Sequence, residues 1–363
     1  MSEEANLSPF DLDWQQRNLA FLQRQEVERP LLACTWGSYF PLEMFPAGAA
    51  SLPQGYLQPD MIRVEAFLPD YERYYRFHQE AADDVPWVAA PFLGIPWTEA
   101  ILGCPVAASS ETIWSEPYVQ DWDQVADLAF SPDNPWVQKL REFMTVLGEY
   151  SGGRFPVGTT LMRGPSDMLA ALRGHTNLAL DLYDCPDKVA RAAELVTDIF
   201  IHAMKAQLEL ATGFGGGYCS GYIFRLWAPQ KCAWNQSDTA AFLSPRFYRQ
   251  LILPHDQHIA QSVDYCFFHL HPPALYAADA LVDVPEVSVI EVNVDYGGPT
   301  ATDMIPTFAK IQQRKPLVIW GRLREEDLEN ILTNLSPRGL CLAPIVDSVE
   351  EAKAIKRRLE RGL

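Results

Sequence analysis

The chain contains no CxxC pair, no apolar run near the length of a membrane helix, and few positive charges. Each absence removes a class of function. The seven cysteines, Cys34, Cys104, Cys185, Cys219, Cys232, Cys266 and Cys341, are odd in number and widely scattered across 363 residues. That excludes a disulfide framework and a paired-cysteine zinc knuckle, and fits reduced thiols in a cytoplasmic protein. Only 29 basic residues stand against 47 acidic ones, a formal net charge of −18. Such a surface repels phosphate backbones and anionic lipid headgroups, so nucleic acid and membrane are poor partners. The opening stretch MSEEANLSPFDLDWQQ is acidic and polar, unlike a secretory signal, and again points to the cytoplasm. No GxSxG, P-loop or GxGxxG stands in the context that it requires. GFGGGYCSG (213–221) lacks a preceding strand and a following helix, so it is not a nucleotide loop. There is no internal repeat and no low-complexity segment.

What is present is a globular composition, 48% hydrophobic and 12% aromatic, with 10 Trp and 28 Pro. From residue 155 onward, short apolar runs alternate with helical stretches. Strands are expected at 155–161, 231–238, 264–272, 287–295, 315–321 and 338–345, and two more at 29–36 and 85–92. They are mostly non-alternating, as parallel strands buried on both faces are. Helices are expected at 165–174, 187–212, 244–263, 274–281, 301–313, 324–333 and 349–361. In the second of these, Val189, Leu195, Val196, Ile199, Phe200, Met204 and Leu208 form one apolar stripe at helical spacing. Eight strands with helical crossovers give the fold class: α/β, a (β/α)8 barrel in a single domain spanning 1–363, with an extended N-terminal segment over the barrel mouth. Residues 1–28 form an N-terminal extension, and the Pro- and aromatic-rich stretches 37–84 and 93–154 are irregular loops and helices around the mouth. The segment 213–224 is either a Gly-rich loop or an extra strand.

In such a barrel the chemistry sits at the C-terminal ends of the strands. The polar residues there are Trp36, Arg163, Asp167, Asp238, His269, His271, Glu291, Asn293, Asp295, Arg322 and Asp347. His269 and His271 form an HxH pair at a strand end, and Glu291 ends the next strand. Two imidazoles and a carboxylate suit a catalytic zinc or another non-haem metal. The alternative is one buried neutral histidine and one that hydrogen-bonds a substrate. Asp238, in the turn after WNQS, is a general acid/base, a substrate anchor or a helix cap. Arg163 can hold a carboxylate in bidentate fashion. It can equally pair with Asp167 to order the RGPSD loop. Trp36 and Asn293 face the same region, and the aromatic N-terminal third suits an apolar or aromatic substrate.

Several segments carry a resemblance. RPLLACTW (29–36), EAILGCPV (99–106), GPSDMLAALRG (164–174), DCPDKVARAAELVTDIF (184–200) and the Asp238 turn followed by LSPRFYRQLILPHDQHI (243–259) are similar to the uroporphyrinogen decarboxylase superfamily. The likeness spans about residues 29–359 as several moderate motifs, and it implies a (β/α)8 barrel. One branch of that superfamily decarboxylates a tetrapyrrole without a cofactor, using an Arg-rich N-terminal segment. The corresponding stretch here, ACTWGSYFPLEMFPAG (33–48), has no Arg. The other branch contains corrinoid-dependent methyltransferases that hold zinc with a His-x-Cys pair, an acidic residue, and a cysteine after the last strand. This likeness implies a zinc set of His269, His271 and Glu291. Asp347 stands in for the last cysteine, since Cys341 falls inside the final strand. It further implies a small-molecule substrate, a corrinoid carried on a separate partner protein, and a barrel compatible with a homodimer. The leading expectation is therefore a metal-assisted methyltransferase or demethylase. Asp238, His269 and His271 would be catalytic, and Trp36, Arg163, Asp167 and Asn293 would bind the substrate. The competing expectations are a metal-free carboxy-lyase and a non-catalytic ligand-binding barrel.

Overall fold

In the computed structural model the protein is described over residues 14–81, 83–221 and 223–361. Its centre is a parallel sheet built from β1 (Leu31–Leu32), β2 (Thr35–Trp36), β3 (Cys232–Gln236), β4 (Tyr265–Leu270), β5 (Val287–Val294), β6 (Leu317–Gly321) and β7 (Leu340–Val346). The spatial order is β1-β7-β6-β5-β4-β3, with β2 continuing the pairing of β1 along β7. Apart from a half-exposed start at Tyr265 and Ser288, every residue from β3 to β7 is buried, which explains their unbroken apolar runs. Helices return the chain between them, among them Ala301–Gln312 and Glu325–Asn334, and Val349–Arg361 follows the last strand.

The remaining side of the barrel is closed without regular ladders. The expected strands 85–92 and 155–161 meet in a single parallel bridge between Ala89 and Val157. Pro86, Pro91 and Pro156 have no N–H to give to a ladder, and two of the available donors turn elsewhere. Val157 N donates to Thr212 Oγ1 at 2.7 Å and Thr160 N to Gln207 Oε1 at 2.9 Å. Single bonds complete the circuit: Asp84 N to Leu32 O, and Gly221 N to Thr159 O. The segment expected as a loop or an extra strand supplies Tyr218–Ser220, paired antiparallel with Leu226–Ala228. A Cβ at Gly158 would lie 2.1 Å from Cys219 O, so only glycine lets this hairpin approach. The chain is thus an α/β barrel of the (β/α)8 kind, with two of its walls irregular.

The helix expected at 187–212 is Pro186–Leu208, and its stripe is buried except at Leu195. The helix expected at 244–263 is interrupted. Ser244 caps Pro245–Phe247 by accepting from Phe247 N, a π turn covers Tyr248–Ile252, and Leu253–Gln261 resumes the α-helix. Pro254 lacks the donor that a continuous helix would need there.

Of the N-terminal third, Tyr39, Phe40 and Leu93–Trp97 reach over the C-terminal end of the sheet. The described part of the 1–28 extension lies at the opposite end. Its helix Trp14–Leu22 sets Trp14 edge-on against Trp227, and Arg24 donates to the carbonyls of Gln312 and Arg314, just before β6. It anchors the bottom of the barrel, not the mouth. Residues 1–13 lie outside the described residues. Among the described helices none is long and apolar enough to cross a membrane.

Candidate functional site

His269 lies near the end of β4, and His271 follows one residue beyond that strand. The register of the parallel sheet sets His269 beside Glu291 of β5. Glu291 is fully buried and its Oε2 is hydrogen-bonded to His269 Nδ1. His271 is held in the same manner: its Nδ1 lies 2.6 Å from Asp295 Oδ1. With both Nδ1 atoms occupied by carboxylates, each imidazole keeps Nε2 for the cavity. The rings stand perpendicular with centroids 4.6 Å apart, and Phe224 stacks on His269 at 4.9 Å.

Asp238 completes the group. Ligand atoms of Asp238, His269 and His271 all lie within 4.8 Å of one another, and Asp238 Oδ1 is 3.9 Å from His271 Nε2. The turn carrying Asp238 is built from below by Asp167. Its carboxylate accepts from Asp238 N at 3.2 Å and Thr239 N at 2.6 Å. The loop that carries Asp167 fits because Gly164 has no Cβ, which would lie 2.2 Å from Gln236 O. Gln236 Nε2 donates to Asp238 Oδ2 at 2.9 Å, while the buried Oδ1 has no hydrogen-bond partner among the described residues.

The electrostatics follow from burial and crowding of acids. Burial holds His269 down to about 3, and burial also drives the Glu291 carboxyl well above its ordinary range. Burial works against charging His271 too. There the Asp295 hydrogen bond and the charges of Asp238, Asp295 and Glu291 prevail and lift it to about 9. Asp238 is raised by burial and by Asp167.

Asp238, His269, His271 and Asp295 face a cavity of about 630 Å³. Its walls include Tyr39, Phe40, Trp97, Phe224, Tyr296 and Trp320. Arg163 lines it with a half-exposed side chain and donates from Nη1 to Glu99 Oε1 at 2.7 Å. Asn293 also lines it and donates to Asp295 Oδ1 at 2.6 Å.

The residues expected at the site thus separate. Asp238, His269, His271, Asn293 and Arg163 converge on the cavity. Glu291 stands behind His269 as its orienting partner, outside the three-residue group. Asp167 is turned to backbone donors and does not pair with Arg163, whose hydrogen-bonded acid is Glu99. Trp36 lies off the cavity, stacked on Phe77 at 4.8 Å with Arg73 over its ring. Asp347 does not join the group either. It is exposed and bound through both oxygens by Arg322. Cys341 is fully buried inside β7, with burial pushing its thiol up, and no cysteine lines the cavity. Glu99 escaped the sequence reading because nothing in EAILGCPV distinguishes a fully buried acid from a surface one.

No family model matches the chain, and no curated protein matches its sequence. Among solved structures it is similar to a methyltransferase from Methanosarcina mazei, at 15% identity and a TM-score of 0.64, covering 96% of this chain and 98% of that one. It is also similar to a B12-independent methionine synthase from Shewanella sp. W3-18-1, at 9% identity and a TM-score of 0.46, covering 92% and 99%. The first likeness establishes the fold, and that fold is the barrel implied by the resemblance to the uroporphyrinogen decarboxylase superfamily.

Proposed function

We propose that this barrel is a metal-dependent methyltransferase or demethylase for a small molecule bound in the aromatic-walled cavity. Asp238, His269 and His271 would hold the ion. The observation that carries this reading is the paired orientation of the imidazoles, each fixed at Nδ1 by a carboxylate and left with Nε2 open, beside Asp238. Carboxylate-oriented histidines of this kind are the usual surroundings of a metal ligand. The unpartnered, buried Asp238 Oδ1 is the acceptor that such an ion would satisfy. Two nitrogens and one oxygen suit zinc and leave positions for a substrate.

A zinc ion held there would supply Lewis acidity, making the heteroatom that carries the methyl group a better leaving group or lowering the pKa of the one that receives it. The chain's own groups do the rest. The aromatic walls exclude water and pack against the substrate body. Arg163, steadied by Glu99, sets a positive charge at the edge of the cavity, and Asn293 helps to keep Asp295 on His271. The methyl group's other partner would be supplied from outside the chain. A corrinoid carried on a separate protein fits that role.

Metal content of the purified protein, beside His271→Ala, tests the reading. About one equivalent of zinc in the wild type, lost in the variant, supports it. Protein that stays free of metal after zinc-replete growth sinks it, and His271 then becomes a proton donor in a metal-free lyase. A screen of methylated small molecules with a corrinoid acceptor tests the transfer itself.

A further inference from the structure

A second cavity, of about 340 Å³, opens beside the first, and Arg163 and Asp238 are the residues that line both. Trp114, Pro117, Ala170 and Ala171 give it an apolar wall, and His175 and Thr239 a polar end.

The two acids on its boundary turn their oxygens away. Asp167 accepts from the backbone of Asp238 and Thr239. Asp238 accepts from Gln236, a residue of the larger cavity only. Arg163 commits Nη1 to Glu99, which also lines only the larger cavity. Among the described residues Nη2 and Nε of Arg163 make no hydrogen bond, and the side chain is 51% exposed. On Arg163 itself a pair of parallel donors therefore remains open. That edge matches a carboxylate, whose two oxygens it can take in one plane.

We propose that the smaller cavity is a second ligand site, for a small planar carboxylate. Its oxygens would bind the Nη2–Nε edge of Arg163 while its body lies against Trp114 and Pro117. The volume is at the lower end of ligand sites and accommodates a single ring. Asp238 and Arg163 form the partition, so this ligand and one in the larger cavity are held together on either side of it. The inference rests on shape and hydrogen-bonding capacity, and it stands whether or not the larger cavity performs methyl transfer.

The test is equilibrium binding of benzoate to the full chain, by calorimetry, with and without added zinc and with benzamide as the neutral isostere. The expected result is saturable binding of one benzoate, weakened at least tenfold, roughly, for benzamide and for Arg163→Gln by loss of the paired charge-assisted bonds. Ala171→Leu, which fills only the smaller cavity, should abolish it, and Leu161→Phe, which narrows only the larger, should leave it in place. A crystal structure of the benzoate complex gives the same answer should Ala171→Leu fail to fold. Binding lost in Leu161→Phe and kept in Ala171→Leu would move the carboxylate to the larger cavity and overturn the proposal. Equal binding of benzamide, or no saturable binding at all, would overturn it too. Zinc content and methyl transfer report separately on the first reading.

Discussion

Asp295 Oδ1 lies 2.6 Å from His271 Nδ1 and also accepts, at 2.6 Å, from the amide of Asn293. A carboxylate so placed fixes both the tilt of the imidazole and the nitrogen that remains open. Glu291 does the same for His269 from inside the barrel. If these acids orient metal ligands, their removal should weaken the metal without displacing it. Asp295→Asn and Glu291→Gln are each expected to lower zinc affinity by about 10- to 100-fold, the usual effect of losing an outer-shell partner. Competition against a coloured chelator measures this. Unchanged affinity in both variants would mean that the two carboxylates serve the fold alone.

Zinc binding should also be coupled to protons, with a sign that His271 sets. Its ordinary value is raised to about 9, against the pull of burial, by the Asp295 hydrogen bond and the surrounding acids. At neutral pH the metal-free ring therefore carries a proton that a metal must displace. Affinity should rise by about tenfold per pH unit for each proton released, and level off above about 9. Calorimetry at pH 7 in buffers of different ionisation enthalpy counts that proton. Binding with no proton release would show that His271 is neutral in the metal-free protein or is not a ligand.

Much of this arrangement could be read in the sequence, and the rest fails for definite reasons. Strands β3 to β7 announce themselves as buried apolar runs, and the HxH pair at 269–271 follows from its strand end. What a sequence does not carry is register. Whether Glu291 reaches the metal position or the back of His269 depends on which residues lie side by side in β4 and β5. Asp238 and Asp295 stand among the strand-end candidates in the sequence, but only the closed barrel brings both to the two histidines. Asp347 was placed by analogy with a cysteine, but Arg322 lies within reach and holds it. The strands at 85–92 and 155–161 carried the right residues for burial, but their prolines withhold the donors that a ladder needs.

Arg163 and Glu99 provide a test of coupling across the cavity wall. Glu99 is fully buried, with the guanidinium 2.7 Å away and the Thr98 hydroxyl donating to its other oxygen. Arg163→Met leaves that carboxylate buried beside one neutral donor. The half-exposed arginine moderates the loss, so about 2 kcal/mol of stability is expected to go. Glu99→Gln added to Arg163→Met should restore a large part of it, because the uncompensated charge is then gone. Urea melts of the two singles and the double close the cycle. Additive losses would show that the pair is not coupled.

Asp256 tests whether burial of an acid in the wall behind the site has a measurable cost. Its carboxyl is fully buried, accepts from Asn235 Nδ2 at 3.0 Å and Tyr248 Oη at 2.9 Å, and burial raises it to about 8. The folded state thus keeps a proton that the unfolded chain gives up near its ordinary value of about 4. Between those two values the unfolded state binds fewer protons. This group's contribution to stability therefore falls as pH rises, by up to about 1.4 kcal/mol per unit, and is constant above about 8. Asp256→Asn removes the ionisation while offering an oxygen to Asn235 and an amide to the Tyr248 hydroxyl. Relative to the wild type, the variant should gain on the order of 4 kcal/mol in stability between pH 5 and pH 8. Other titrating groups cancel in that difference, because they are common to both proteins. Denaturant unfolding of the pair at those two pH values measures it, and a difference that does not change with pH would mean that Asp256 ionises normally in the folded protein.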